Sequence, residues 1–132
     1  RQRQMCIRDR VVAETFARRI SAFGLDERGR MTARRVWADL GEHTPDGVCL
    51  DAEGALWVAS PGTGVVFRVK QGSAILDECE TRGTPYACML GGEDRRTLFV
   101  CTSETDDPRE AARRRSGRIE QVRVRVPGAG LP

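Results

Sequence analysis

Thr44-Pro45-Asp46-Gly47-Val48-Cys49-Leu50-Asp51-Ala52-Glu53-Gly54-Ala55-Leu56-Trp57-Val58-Ala59-Ser60 decides the fold. Val48 and Leu50 alternate with Cys49 in the period-two pattern of a strand. Asp51-Ala52-Glu53-Gly54 supplies a tight turn, because Asp bonds its own backbone and Gly tolerates positive φ. Leu56-Trp57-Val58-Ala59 is the return strand, too short and too apolar for an independent helix. Asp46 stands just before the first strand.

The stretch recurs. Thr84-Pro85-Tyr86-Ala87-Cys88-Met89-Leu90 lies over residues 44–50 without a gap, and Thr97-Leu98-Phe99-Val100-Cys101-Thr102-Ser103 answers the return strand. The turn between them, built on Gly91-Gly92-Glu93-Asp94, is longer. A repeat of about 40–50 residues made of short strands is the signature of propeller blades. Tyr86 stands where the first copy has Asp46, so the scaffold does not require an acid at that place.

Working outward, Val11-Val12-Ala13-Glu14-Thr15 and Arg19-Ile20-Ser21-Ala22-Phe23-Gly24-Leu25-Asp26 read as strands, and Arg34-Arg35-Val36-Trp37-Ala38-Asp39-Leu40 as a third. That unit lacks an inner strand. The second unit is complete, with strands near 47–51, 56–60, 65–70 and 74–80 joined by Gly- and Pro-rich hairpin connections. A third has strands near 86–90, 97–103 and 117–126. The fold class is therefore all-β: about two and a half four-stranded blades of a β-propeller, whereas closed propellers have four to eight. Residues 11–132 are expected to be part of such a domain, with 127–132 an irregular tail.

Between the last two strands lies the insertion 104–116. Asp107-Pro108-Arg109-Glu110 is a helix start, with a capping Asp, Pro at the first position and Glu at the third. The plain reading is one or two exposed helical turns. Residues 1–10 carry no periodicity that continues into the next segment, and are read as a non-native or disordered leader outside the fold.

Charge excludes one function class. The net charge is +3, but four arginines against Asp9 put that whole excess into the first ten residues. The other 122 hold 18 basic and 18 acidic residues, so the folded part has no basic face for nucleic acid. No apolar run is long enough to span a membrane and no apolar segment follows the basic start, so neither membrane insertion nor secretion is expected. Five cysteines, an odd number without a Cys-x-x-Cys pair, fit a reduced cytoplasmic setting and no zinc spacing. Cys49, Cys88 and Cys101 read as small hydrophobes inside strands, with Cys88 and Cys101 able to face each other across a hairpin.

In a four-stranded meander, connections entering the inner strand and those joining the second and third strands emerge on one face. Asp46 belongs there, with 15–18, 60–64, 84–86 and the insertion 104–116. From the residues alone Asp46 fits either a turn cap or a ligand for a hard cation. Asp26 and Asp51 fall in hairpin turns and read as structural, His43 as a loop residue beside the motif, Glu14 as a lone acid, and Trp37 and Trp57 as packing residues. No serine has a nucleophile-elbow context.

From Thr44 to Ala59 the chain resembles the senescence marker protein / gluconolactonase / luciferin-regenerating enzyme family, the regucalcin-type lactonases. Residues 11–15, residues 34–40 and Gly117-Arg118-Ile119 add to the likeness. The resemblance implies a six-bladed propeller with a divalent metal, calcium or zinc, at the channel mouth. It implies hydrolysis of a sugar lactone or related cyclic ester as the small-molecule substrate. The family's metal is held by a glutamate, an asparagine and the aspartate of the Pro-Asp-Gly motif. Only the last is present, as Asp46, which would serve as metal ligand and catalytic residue. The other two would precede Val11, so the chain is expected to be a C-terminal fragment, inactive alone. The competing class is a non-catalytic propeller that binds a ligand or protein.

Overall fold

The computed structural model describes residues 9–130. Ten strands form three antiparallel meanders. The first sheet is β1 (Asp9–Glu14), β2 (Arg19–Leu25) and β3 (Met31–Asp39), in that order. The second is β4 (Val48–Leu50), β5 (Leu56–Ser60), β6 (Val65–Val69) and β7 (Ile75–Glu80). β8 (Thr84–Gly91), β9 (Thr97–Ser103) and β10 (Arg118–Arg123) make the third, with α1 (Pro108–Arg114) inserted before β10. These are propeller blades of three, four and three strands, matching the expected partition.

Two seams hold the blades together. Along β5, successive side chains point to opposite faces. Leu56 and Val58, with Phe67 and Val69 of β6, pack on Ile20, Ala22, Trp37 and Ala38 of the first blade. Trp57, Ala59 and Val66 pack the other way, on Cys88, Leu90, Leu98 and Val100 of the third. All five residues of β5 are buried. That explains why this strand reads as continuously apolar rather than alternating.

One charged network lies inside the middle blade. Arg68 Nε donates to Asp51 Oδ2 at 2.6 Å and Arg68 Nη2 to Glu53 Oε2 at 2.9 Å. The other Asp51 oxygen accepts from the backbone N–H groups of Glu53 and Ala55 at 2.9 and 3.1 Å, so the aspartate closes the β4–β5 turn as well as the ion pair. Its side chain is fully buried. Asp26 does the simpler job, accepting from the N–H groups of Arg28 and Arg30 in an exposed turn.

Two details depart from the sequence expectations and a third adds to them. β1 begins at Asp9, two residues inside the segment read as leader. Asp9 lies opposite Gly24 in the ladder and its carboxylate meets Arg35 at 2.5 Å, so a charged residue joins the strand through a cross-sheet pair. The leader's remaining residues, 1–8, lie outside the described residues. Cys88 and Cys101 do not face each other: a bulge at Tyr86 leaves Cys88 opposite Val100 and Cys101 opposite Ala87. Cys88 is buried and Cys101 exposed. Lastly, residues 127–130 are irregular, as expected, but are also pinned by backbone hydrogen bonds that no sequence pattern shows. Ala52 N–H donates to Pro127 O at 2.8 Å, Ala129 N–H to Leu50 O at 3.1 Å and Gly128 N–H to Arg95 O at 3.0 Å, which ties the ends of the second and third blades.

Where the second and third blades meet, Gly47 leaves no room for a side chain. Its N–H donates to Tyr86 O at 2.9 Å, and a Cβ there would lie 2.5 Å from Ala87 Cα and 2.9 Å from Tyr86 O. Both neighbours are backbone and cannot swing away. Gly47→Ala is therefore expected to destabilise the chain by about 2 kcal/mol or more through forced separation of the seam, read as a lower urea midpoint; an unchanged midpoint would contradict the close approach. Arg68→Ala strands a buried carboxylate and should cost about 3–5 kcal/mol in the same measurement. A loss below about 1 kcal/mol would mean that Asp51 is solvated as a surface ion pair is.

Candidate functional site

The loop before β4 is fixed from three directions. From the first blade, Thr15 Oγ1 donates to Pro45 O at 2.8 Å. From its own hairpin, Ser60 Oγ accepts from Thr44 N–H at 3.0 Å, and Thr44 Oγ1 accepts from Gly62 N–H at 2.8 Å. Asp46 N–H donates to Ala59 O at 2.9 Å, which carries the β4–β5 pairing beyond the strand itself. From the third blade comes the Tyr86 carbonyl on Gly47. Tyr86 is the extra residue of the β8 bulge, so its carbonyl points away from its own ladder and across the seam.

A polar chain backs the loop. Ser60 Oγ and Thr63 Oγ1 are 2.7 Å apart, and Thr63 Oγ1 lies 2.8 Å from His43 Nδ1. The His43 ring rests on Phe67, with centroids 4.3 Å apart. His43 is thus half-buried and committed to the scaffold behind Thr44, not free in solvent.

Asp46 itself is exposed, while Pro45 beside it is fully buried. Among the described residues the Asp46 carboxylate makes no hydrogen bond and no ion pair. A turn cap would accept from nearby N–H groups, as Asp26, Asp51 and Asp107 do. Asp46 does not. Its charge is felt by Tyr86, whose phenol is pushed up by burial first and then by the negative charge of Asp106, with a smaller push from Asp46 against a hydrogen bond to Thr84.

Asp106 is the residue that sequence reasoning missed. It lies in the 104–116 insertion, where its charge acts on Tyr86. Ser103 Oγ donates to Thr105 O at 2.8 Å, and Glu104 N–H donates to Ser116 Oγ at 3.0 Å, closing the neck of the insertion. Asp107 caps α1 on the N–H groups of Arg109 and Glu110, as its spacing predicted. The available signal was placement: the insertion was assigned to the face that carries Asp46, but no motif singled out its acid.

Glu14 is not available as a ligand. It takes Arg19 Nε at 2.6 Å, the Ser21 hydroxyl, and Arg34 at 3.6 Å. The hydrogen bond from Arg19, then that from Ser21, holds its carboxyl down to about 2. Trp37 and Trp57 are core residues, 1% and 2% exposed, and cannot act as platforms for a sugar.

The described residues contain no group of three or more His, Cys, Asp or Glu side chains placed to share a metal ion. Among the described residues of this face, Asp46 has an unengaged carboxylate, and its charge and that of Asp106 both act on the Tyr86 phenol. No helix among the described residues is long and apolar enough to cross a membrane.

Comparison with known proteins fits this geometry. Residues 8–104 match the model of the SMP-30/Gluconolactonase/LRE-like region. A 6-deoxy-6-sulfogluconolactonase of Pseudomonas putida is 33% identical over 117 residues, covering 83% of this chain and 40% of that protein. Regucalcin of Sus scrofa is 33% identical over 97 residues, 67% of this chain and 32% of the relative. Among solved structures, a luciferin-regenerating enzyme superposes with a TM-score of 0.76 at 20% identity, over 92% of this chain and 43% of that one. A regucalcin from Agrobacterium tumefaciens, described as a calcium-binding protein, gives 0.71 at 25% identity, over 91% and 43%. The chain thus spans between about a third and two-fifths of the length of these curated relatives. With the family model covering most of its length and the same blades in the solved structures, the chain belongs to the SMP-30/gluconolactonase/LRE-like family.

Proposed function

We propose that this chain is part of a metal-dependent hydrolase of a sugar lactone or related cyclic ester, and that Asp46 is its contribution to the metal centre. The observation that carries the reading is an exposed carboxylate, bound to no other side chain, on a loop held by hydrogen bonds from three blades. A carboxylate kept out of scaffolding and rigidly aimed is what a hard cation such as calcium, or zinc, requires. Relatives named as a gluconolactonase and as regucalcin support the reaction class.

A single carboxylate does not make a centre. The reading takes the further ligands, a glutamate and an asparagine by family resemblance, from outside the described residues. A bound divalent ion would polarise a lactone carbonyl and lower the pKa of water beside it. Asp46 would hold or deprotonate that water, within reach of the carbonyl carbon. Tyr86 and Asp106 stand at the edge of the same place, where a phenol kept protonated can donate to a substrate oxygen.

In the protein extended to include the glutamate and the asparagine, calcium or zinc at about a hundredfold above its Kd should stabilise the fold by about 2.7 kcal/mol, because a ligand that binds only the folded form shifts unfolding by mass action. The measurement is the thermal midpoint with and without each ion. Asp46→Ala should unfold like the parent without metal and lose the shift with it. Equal midpoints in millimolar metal, or a shift that Asp46→Ala retains, would remove Asp46 from the metal site.

A further inference from the structure

Two cysteines meet where the second and third blades join. Cys49 of β4 and Cys88 of β8 are both buried in one apolar cluster. Cys88 Sγ donates to Trp57 O at 3.5 Å and lies 3.6 Å from Gly47 O. Trp57 is the residue opposite Cys49 in the β4–β5 ladder, so the Cys88 thiol is directed at the strand pair that carries Cys49. Both thiols thus lie in the apolar seam between the β4–β5 pair and β8.

The backbones of the two blades approach closely beside these residues. A disulfide needs Cα atoms within about 7 Å and Cβ atoms facing each other. At Gly47 and Ala87 the two chains touch, one residue before Cys88 and two before Cys49. A groove of about 410 Å³ is lined by Val48, Cys49, Leu50, Met89, Leu90 and Gly128, so Cys49 borders space wide enough for a small oxidant.

The two thiols are also chemically unequal. The neighbouring Cys88 thiol pushes the Cys49 thiol down against its burial, and Cys49 together with burial pushes Cys88 up. Cys49 is the better thiolate and Cys88 the proton-bearing partner.

We propose that Cys49 and Cys88 form a reversible inter-blade disulfide when a hydroperoxide reaches the groove. The Cys49 thiolate attacks one peroxide oxygen, and the O–O bond breaks. The other oxygen leaves, protonated, as an alcohol, or as water from hydrogen peroxide, and Cys49 becomes a sulfenic acid. The Cys88 sulfur then attacks the Cys49 sulfur and gives up its proton. The S–O bond breaks and the hydroxyl departs with that proton as water. Two thiols lose two electrons, and the peroxide gains them. A dithiol reverses the bond by exchange. The link would fasten β4 to β8 next to Gly47, one residue from Asp46.

The test treats the whole chain with hydrogen peroxide, blocks remaining thiols, and maps disulfide-linked peptides by mass spectrometry. The expected product is monomeric, lighter by two hydrogen atoms, and links the peptides of Cys49 and Cys88. Its thermal midpoint should rise by about 10 °C, since the bond closes a long loop in the unfolded chain, and dithiothreitol should return it. Cys49→Ala and Cys88→Ala should each abolish the product, whereas Cys101→Ser should not. If either alanine variant fails to fold, the peptide map of the unsubstituted chain decides. Links through Cys6, Cys79 or Cys101 alone, covalent dimers alone, or over-oxidation without the 49–88 link would overturn the proposal.

Discussion

Strands β5 and β6 are covered on both faces, and each side chain of β5 is assigned to one face or the other by the pleat. Leu56 and Val58 go to the first blade, Trp57 and Ala59 to the third. Each fully buried Val, Leu or aromatic residue is worth about 1.5–3 kcal/mol over leaving it exposed. A slip of one residue in β5 would exchange the two sets and undo both seams at once. Register, blade spacing and the position of the loop before β4 are therefore a single decision.

The second consequence concerns charge. A strand pair buried on both faces has little room for polar groups, yet Arg68 sits within it. Its guanidinium is matched by Asp51 and Glu53, and Asp51 spends its other oxygen on two backbone N–H groups of the turn. Asp46 differs from these acids in having no such duty. Its backbone is held as firmly as theirs, while its carboxylate is left to solvent. That separation between a fixed main chain and an unengaged side chain distinguishes Asp46 from the turn-closing acids Asp26, Asp51 and Asp107.

Much of this could be read from the sequence, and the reasons for the rest are specific. The doubled Thr-Pro stretch announced the blades, and the turn chemistry of Asp51 and Asp107 placed a hairpin and a helix start. Asp26, Asp51, Trp37 and Trp57 take the structural places expected of them. The first strand starts early because Asp9 is recruited by Arg35, a pairing 26 residues away that no local pattern can show. Cys101 faces outward because the pleat of β9 turns Leu98, Val100 and Thr102 inward, and the β8–β9 register that separates it from Cys88 is not written in the repeat. The Pro127–Ala129 contacts are made entirely by backbone, to which side-chain identity is blind. Asp106 was invisible for a related reason: it gains meaning only through its proximity to Tyr86, 20 positions earlier in the chain.

Amide hydrogen exchange tests the central claim most directly, that burial of β5 and β6 on two faces immobilises the middle blade and with it the loop of Asp46. The amides of Asp46 and Gly47 donate to Ala59 and to Tyr86 across the seam. They should exchange in the same slow class as those of β5, opening only when the blades separate. Exchange of these two amides at the rate of an open loop, while β5 stays protected, would contradict the account.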